Sequence, residues 1–207
     1  PLSLDTPIYI SGMSYGALSA NAKTALGRAA AMTGTASCTG DGGMLQSERD
    51  ASEKLIYQVL PSRYGLNPRH MVQAQAIEIV VGQGAKPGTG GMLMGVKVLD
   101  EIAEMRDLPQ GIDQRSPARH PDWLGPDDLA MKIEQLREAT DWRIPIHVKL
   151  GACRVDDDVK LAAKAGADAV VVDSMVAGTG ASAEVLLDHS GIPTVPAIVM
   201  AREALRD

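Results

Sequence analysis

The residues best suited to chemistry gather in short glycine-rich stretches. These are Ser11-Gly12-Met13-Ser14-Tyr15-Gly16-Ala17, Thr39-Gly40-Asp41-Gly42-Gly43, Gln83-Gly84-Ala85-Lys86-Pro87-Gly88-Thr89-Gly90-Gly91 and Gly178-Thr179-Gly180-Ala181-Ser182. Small residues let a flat ligand approach the backbone. One such turn is usually only a turn, but successive strands that deliver Gly, Lys, Arg or Ser to the same end of a sheet point to a ligand site. Arg115-Ser116-Pro117-Ala118-Arg119-His120 adds cations. Lys149 stands in the mostly apolar run Ile-His-Val-Lys-Leu. A buried, unpaired ammonium is costly, so Lys149 calls for an anionic or electron-rich partner, a reading preferred to snorkelling at the rim. His147 shares its strand face with Lys149 and reads first as a satisfied core histidine, second as a site residue. Met13, Met44, Met92, Met94 and Met175 read as packing residues, and Asp122 and Trp123 as part of a turn leading into a helix.

Alternating strands and helices must place these stretches. Apolar runs from Pro7 to Met13, Ala76 to Gly82, Ile144 to Leu150 and Ala169 to Asp173 read as buried parallel strands, and Thr35 to Cys38 and Gly111 to Gln114 as shorter ones, six in all. Between them, Leu18, Ala22, Ala25, Ala29 and Met32 recur at helical spacing before Gly34. Gly125-Pro126-Asp127-Asp128 opens a second helix whose apolar face is Leu129, Ile133 and Leu136, and Asp156-Asp157-Asp158 opens a third that ends at Gly166. Such alternation means an α/β fold with a parallel sheet and right-handed crossovers. The segment from Gly40 to Gln75 breaks the rhythm and reads as an enlarged loop on the catalytic face.

Composition narrows the function. The chain has 207 residues, 45% of them hydrophobic, which suits one domain with a sizeable core; 3% are aromatic and none is Phe, so the core is built from Ala, Val, Ile, Leu and Met. A formal net charge of -6 argues against nucleic-acid or anionic-membrane partners. No run approaches the roughly 18 apolar residues of a membrane span, so a cytoplasmic location is expected. Cys38 and Cys153 are far apart without CxxC spacing, so both read as packed thiols and no metal site is expected.

These stretches carry a family likeness. Ile10-Ser11-Gly12-Met13-Ser14-Tyr15-Gly16-Ala17-Leu18-Ser19 resembles the first barrel strand of the FMN-binding domain of glutamate synthase, and Gln83 to Gly91 is similar to that family's QGAKPGEGG segment. Asp127-Asp128-Leu129, Val148-Lys149-Leu150 and Gly178 to Ser182 resemble later family segments in the same order. The resemblance implies that residues 1–207 are a partial FMN-binding (β/α)8 TIM barrel, truncated after about six β/α units, since a closed barrel needs about 250 residues. It implies an oxidoreductase in which reduced FMN delivers electrons to an imino acid formed from 2-oxoglutarate and ammonia, giving glutamate. By position, Met13, Ser14, Thr39, Gln83 and Lys149 would contact flavin. Lys86 would bind a carboxylate of the 2-oxo acid, with Arg115 or Arg119 contributing, and the catalytic residues would be Asp41, Lys86 and Lys149. Implied partners are a glutaminase-type subunit and an electron donor within an oligomer; no iron-sulfur cluster is supported by this chain.

Three departures stand out. Asp41 replaces the acidic residue of the family's TGEGG-like turn with one a methylene shorter. The stretch after the fourth strand reads Arg-Ser-Pro-Ala-Arg-His-Pro-Asp-Trp, and Met175-Val176-Ala177 replaces an acidic-glycine turn. They point to a divergent branch, similar to the FMN subunits of N-methylglutamate synthases, which handle methylamine and glutamate. A non-catalytic barrel serving as a structural subunit is the competing class, disfavoured because such a barrel has no need of Lys and Gln at strand ends.

Overall fold

The computed structural model describes residues 2–206. In chain order the elements are α1 (Ala20–Met32), β1 (Ala36–Cys38), α2 (Gln46–Ala51), β2 (Lys54–Val59), α3 (Pro68–Met71), β3 (Ala76–Val80), β4 (Met92–Leu93), α4 (Asp100–Arg106), β5 (Gln114–Arg115), α5 (Pro126–Ala139), β6 (Ile146–Gly151), α6 (Val155–Lys164), β7 (Ala169–Asp173), α7 (Glu184–His189) and α8 (Thr194–Ala204). Five strands form one parallel sheet in the order β1-β2-β3-β6-β7, so each new strand adds beside the last in the manner of a (β/α) barrel.

Strand alternation sorts the sheet into two faces. Leu55, Tyr57, Val59, Ile77, Ile79, Ile146, Val148 and Leu150 face outward and pack beneath Leu129, Ile133 and Leu136 of α5, Val155, Val159 and Ala162 of α6, and the alanines of α8. Burial of this layer holds helices to sheet, at roughly 1.5–3 kcal/mol for each fully buried large aliphatic side chain. On the other face Ala36, Cys38, Ile56 and Ala76 meet Leu2, Leu4 and Tyr9 near the strand starts. Further along, the same face turns polar, with Gln58 in register with Glu78, Glu78 with His147, and Gly151 with Asp173.

Four expectations about the secondary-structure elements need correction. The segment from Gly40 to Gln75 is not a loop: it holds α2, β2 and α3, and β2 supplies a central strand. Gln58 blurs the apolar signature of β2 because it faces the polar interior. The Pro7 to Met13 run is no regular strand, although the Ile10 N–H donates to the Ala36 carbonyl at 2.9 Å and holds it alongside β1. The strand expected from Gly111 to Gln114 shrinks to β5, which pairs antiparallel with β4 outside the main sheet. Helix α1 buries Lys23, Gly27 and Ala30 rather than the Leu18-to-Met32 face, and Met32 is 87% exposed.

The other helices follow their signals. Pro126 opens α5, and the Asp128 carboxylate accepts from the N–H groups of Leu124 and Gly125 at 2.7 and 3.3 Å, satisfying donors a helix start leaves free. Three aspartates occupy the first turn of α6, where the helix dipole favours them. Of the thiols, Cys38 is buried and Cys153 is exposed, so only the first is a packed thiol. Among the described residues, no helix is long and apolar enough to cross a membrane.

Candidate active site at the strand ends

The polar face of the sheet carries a buried charge network. Lys149 of β6, 5% exposed, lies 2.7 Å from a carboxylate oxygen of Asp173 on β7. The other Asp173 oxygen accepts the Gly84 N–H at 2.8 Å. A Cβ on Gly84 would stand 2.2 Å from the Asp173 carbonyl oxygen, so this close approach needs glycine. On β2 and β3, the Gln58 amide donates to the Glu78 carboxylate at 2.6 Å. Burial pushes the Glu78 carboxyl above its usual range, with Lys149 opposing that shift. For Lys149 itself burial works against the charge, but Asp173, then Glu78, outweigh it and hold the ammonium above its ordinary range. The partner that Lys149 calls for is therefore a carboxylate of the fold.

Against this network opens a cavity of about 450 Å³, within the size range of small-molecule sites. Met13 and Ser14 line one side, Asp41, Gln83 and Lys86 the strand ends, and the Gly178 to Ala181 turn another wall. The Ser182 hydroxyl ties that turn to the Gln83–Gly91 stretch by donating to the Ala85 carbonyl at 2.6 Å. The β4–β5 ribbon closes the cavity with Leu93 and Gln114. Tyr15, Val98, Ile102 and Ala103 form a small core that seats α4 against the same rim.

Two buried cations face this cavity. Lys86 is 4% exposed; burial lowers its pKa from the ordinary lysine range, and the Asp41 charge partly offsets that. A Cβ on Gly91 would lie 2.6 Å from an Asp41 carboxylate oxygen and 3.7 Å from the Lys86 nitrogen, so both groups converge on a wall that must stay bare. Arg106, also 4% exposed, reaches over from the last turn of α4. Its guanidinium donates to the Gln114 side-chain oxygen at 2.9 Å and to the Tyr15 carbonyl at 3.1 Å. Its Nε and the Gln114 Nε2 are buried and have no acceptor among the described residues. Burial lowers the Arg106 pKa and Asp41 opposes that. Two buried cations at one cavity are a setting that favours an anion.

The structure thus gathers Met13, Ser14, Asp41, Gln83 and Lys86 around one cavity. Thr39 is 1% exposed and lies behind the wall, its hydroxyl accepting the Gln58 N–H at 3.0 Å. Lys149 is buried and does not line the cavity either. Arg115 and Arg119 are exposed and do not line it; the Arg115 carbonyl accepts from the Tyr64 hydroxyl. Arg106, Gln114, Gln58 and Glu78 were not apparent from sequence. The one available signal was the charged and amide residues within runs that otherwise read as core. His120 lies outside the cavity, its ring nitrogen 2.8 Å from the Val80 carbonyl and its ring stacked near Trp123. Among the described residues no group of three or more His, Cys, Asp or Glu is placed to hold a metal.

A parallel, barrel-type sheet with a polar cavity at its C-terminal strand ends defines an α/β-barrel domain of the kind that binds small molecules on that face. The chain belongs to the glutamate synthase family: the family model described as the conserved region in glutamate synthase matches residues 1–207. It is 58% identical over its whole length to a glutamate synthase large subunit-like protein of Rhizobium meliloti, and 44% identical to an archaeal glutamate synthase [NADPH] of Methanocaldococcus jannaschii. It spans 47% and 41% of the lengths of those two relatives. Its fold is similar to that of a lactate oxidase from Pediococcus acidilactici, with a TM-score of 0.60 at 13% identity over 99% of this chain and 55% of the other. A mandelate oxidase variant carrying an FMN adduct gives a TM-score of 0.55 at 20% identity, covering 98% of this chain and 55% of that one. At these identities the likeness is one of fold.

Proposed function

We propose that this chain is the FMN- and 2-oxo-acid-binding part of a glutamate-synthase-type oxidoreductase that converts 2-oxoglutarate, through an imino acid, to glutamate. The observation that carries this reading is the convergence of Lys86 and Arg106, two buried cations, at the strand-end cavity. A dicarboxylate needs such a setting. The residues also fit a flavin: the cavity wall is bare at Gly12, Gly16 and Gly91, and the Ser14 N–H has no acceptor among the described residues. Met13, Ser14 and Gln83 would hold the ring, with Lys149 contributing its charge. FMN, when bound and reduced, would supply the hydride that carries both electrons of the reduction.

The chain's own groups do the rest. Lys86 and Arg106 hold the carboxylates and fix the reacting carbon. Lys149, kept charged by Asp173, presents a positive field to negative charge that develops on the ring side of the cavity. Asp41, beside Lys86, is the group placed to take and return the proton exchanged at the amine nitrogen. Supply of ammonia by a glutaminase-type partner, and of electrons by a separate donor, belongs to the same reading. Intact protein reconstituted with FMN should show a flavin spectrum that 2-oxoglutarate perturbs, and should form glutamate from 2-oxoglutarate and ammonia when given reductant. A protein that takes up no flavin would sink the reading, and turnover with methylamine in place of ammonia would move it to N-methylglutamate synthesis.

A pH effect follows from Lys86. Its lowered pKa means that the ammonium loses its proton at a pH below the ordinary lysine range, so anion binding weakens as pH rises through that value. KM for 2-oxoglutarate should climb on the alkaline side in the unmodified protein, and the climb should vanish in Lys86→Arg, because a guanidinium keeps its proton. Identical alkaline profiles for the two proteins would contradict the assignment.

A further inference from the structure

The Lys23–Glu48 pair lies outside the cavity but behind its wall. Lys23 of α1 and Glu48 of α2 are each 2% exposed at the side chain, with nitrogen and oxygen 2.7 Å apart. The same ammonium donates to the Met13 carbonyl and to the Thr39 carbonyl, both at 2.8 Å. The Cys38 carbonyl lies at 3.4 Å. A buried ion pair is weak support for stability, because apolar side chains of similar volume often serve as well or better. Direction is what apolar side chains cannot replace here. Lys23 aims two carbonyls, one from the first glycine-rich stretch and one from the end of β1, at a single point.

In a trans peptide the C=O and the following N–H point opposite ways, and no cis peptide occurs among the described residues. With the Met13 carbonyl turned to Lys23, the Ser14 N–H is turned away from it. Ser14 lines the cavity, and its N–H has no acceptor among the described residues. Gly40, at φ +71, braces this peptide from below: a Cβ there would lie 2.5 Å from Met13 C and from Ser14 N. We propose that Lys23, locked by Glu48, is a positioning residue that turns the Met13–Ser14 peptide so that the Ser14 N–H stands as a fixed donor to the flavin ring. This rests on the flavin reading above.

The test separates positioning from mere packing. Lys23→Met should lower the melting temperature of the intact protein and raise the Kd for FMN by about tenfold or more, since small misplacements of a binding group carry costs of that size. Lys23→Met combined with Glu48→Met removes both charges, and should recover the melting temperature while FMN stays weakly bound with a shifted visible band. Recovery of FMN affinity and spectrum together with the melting temperature would overturn the proposal. In the unmodified protein labelled with 15N-serine, the Ser14 amide resonance should move downfield when FMN is added; an unmoved resonance would also overturn it. Failure of the unmodified protein to take up FMN would bring down the functional reading as well, whereas normal uptake with a wild-type-like double variant brings down this inference alone.

Discussion

Replacing Lys149 with Met is expected to destabilise the protein by about 3–5 kcal/mol at neutral pH, the range for removing one partner of a buried ion pair. Asp173 would keep only the Gly84 N–H, and Glu78 would lose the cation that opposes its rise in pKa. In the variant the Glu78 carboxyl, already held above its usual range by burial, would rise further once Lys149 no longer opposes it. The sign follows from that: such a group stabilises when protonated, and its contribution is lost as pH rises through the folded pKa. The deficit relative to the unmodified protein should therefore be largest near pH 8 and should shrink towards pH 5. Urea denaturation at the two pH values measures both quantities. A deficit below about 1 kcal/mol at each would mean that water reaches the pair and that the interior is not the low-dielectric setting its burial indicates.

What the sequence made legible, and what it hid, follow one physical divide. Glycine-rich turns after apolar runs are local signals, and they located the cavity-lining Met13, Ser14, Asp41, Gln83 and Lys86. Caps and amphipathic faces are local too, and α5 and α6 fell where Pro126 and the Asp156–Asp158 cluster put them. Polar residues buried by distant partners leave no such trace. Gln58 made β2 look irregular, although its amide is satisfied by Glu78 from the neighbouring strand. The helical spacing of Leu18, Ala22, Ala25, Ala29 and Met32 gives no sign that α1 buries Lys23; only Glu48 and two carbonyls from other segments make burial of that ammonium tolerable. Arg115 and Arg119 drew notice as cations after an expected strand, yet both are exposed. The buried arginine comes from α4, at a rim that the β4–β5 ribbon completes.

That contrast sets the second large expectation. Arg106→Ala should lower kcat/KM for 2-oxoglutarate by about 30-fold or more, because truncating one member of a buried charge contact costs about 2–5 kcal/mol, and each 1.36 kcal/mol is tenfold. Arg115→Ala and Arg119→Ala, on exposed side chains away from the cavity, should stay within about twofold. Arg106→Lys keeps the charge but gives up the planar fork that reaches Gln114, Tyr15 and a ligand at once, so it should fall between the two. Some stability will be lost in the alanine variant, as the Tyr15 carbonyl and the Gln114 amide lose their partner. Flavin content distinguishes the causes. If Arg106 serves the 2-oxo acid, the variant should retain FMN and its spectrum but no longer respond to added 2-oxoglutarate. Loss of flavin together with activity would make Arg106 part of the rim's architecture instead, and leave Lys86 as the principal carboxylate holder.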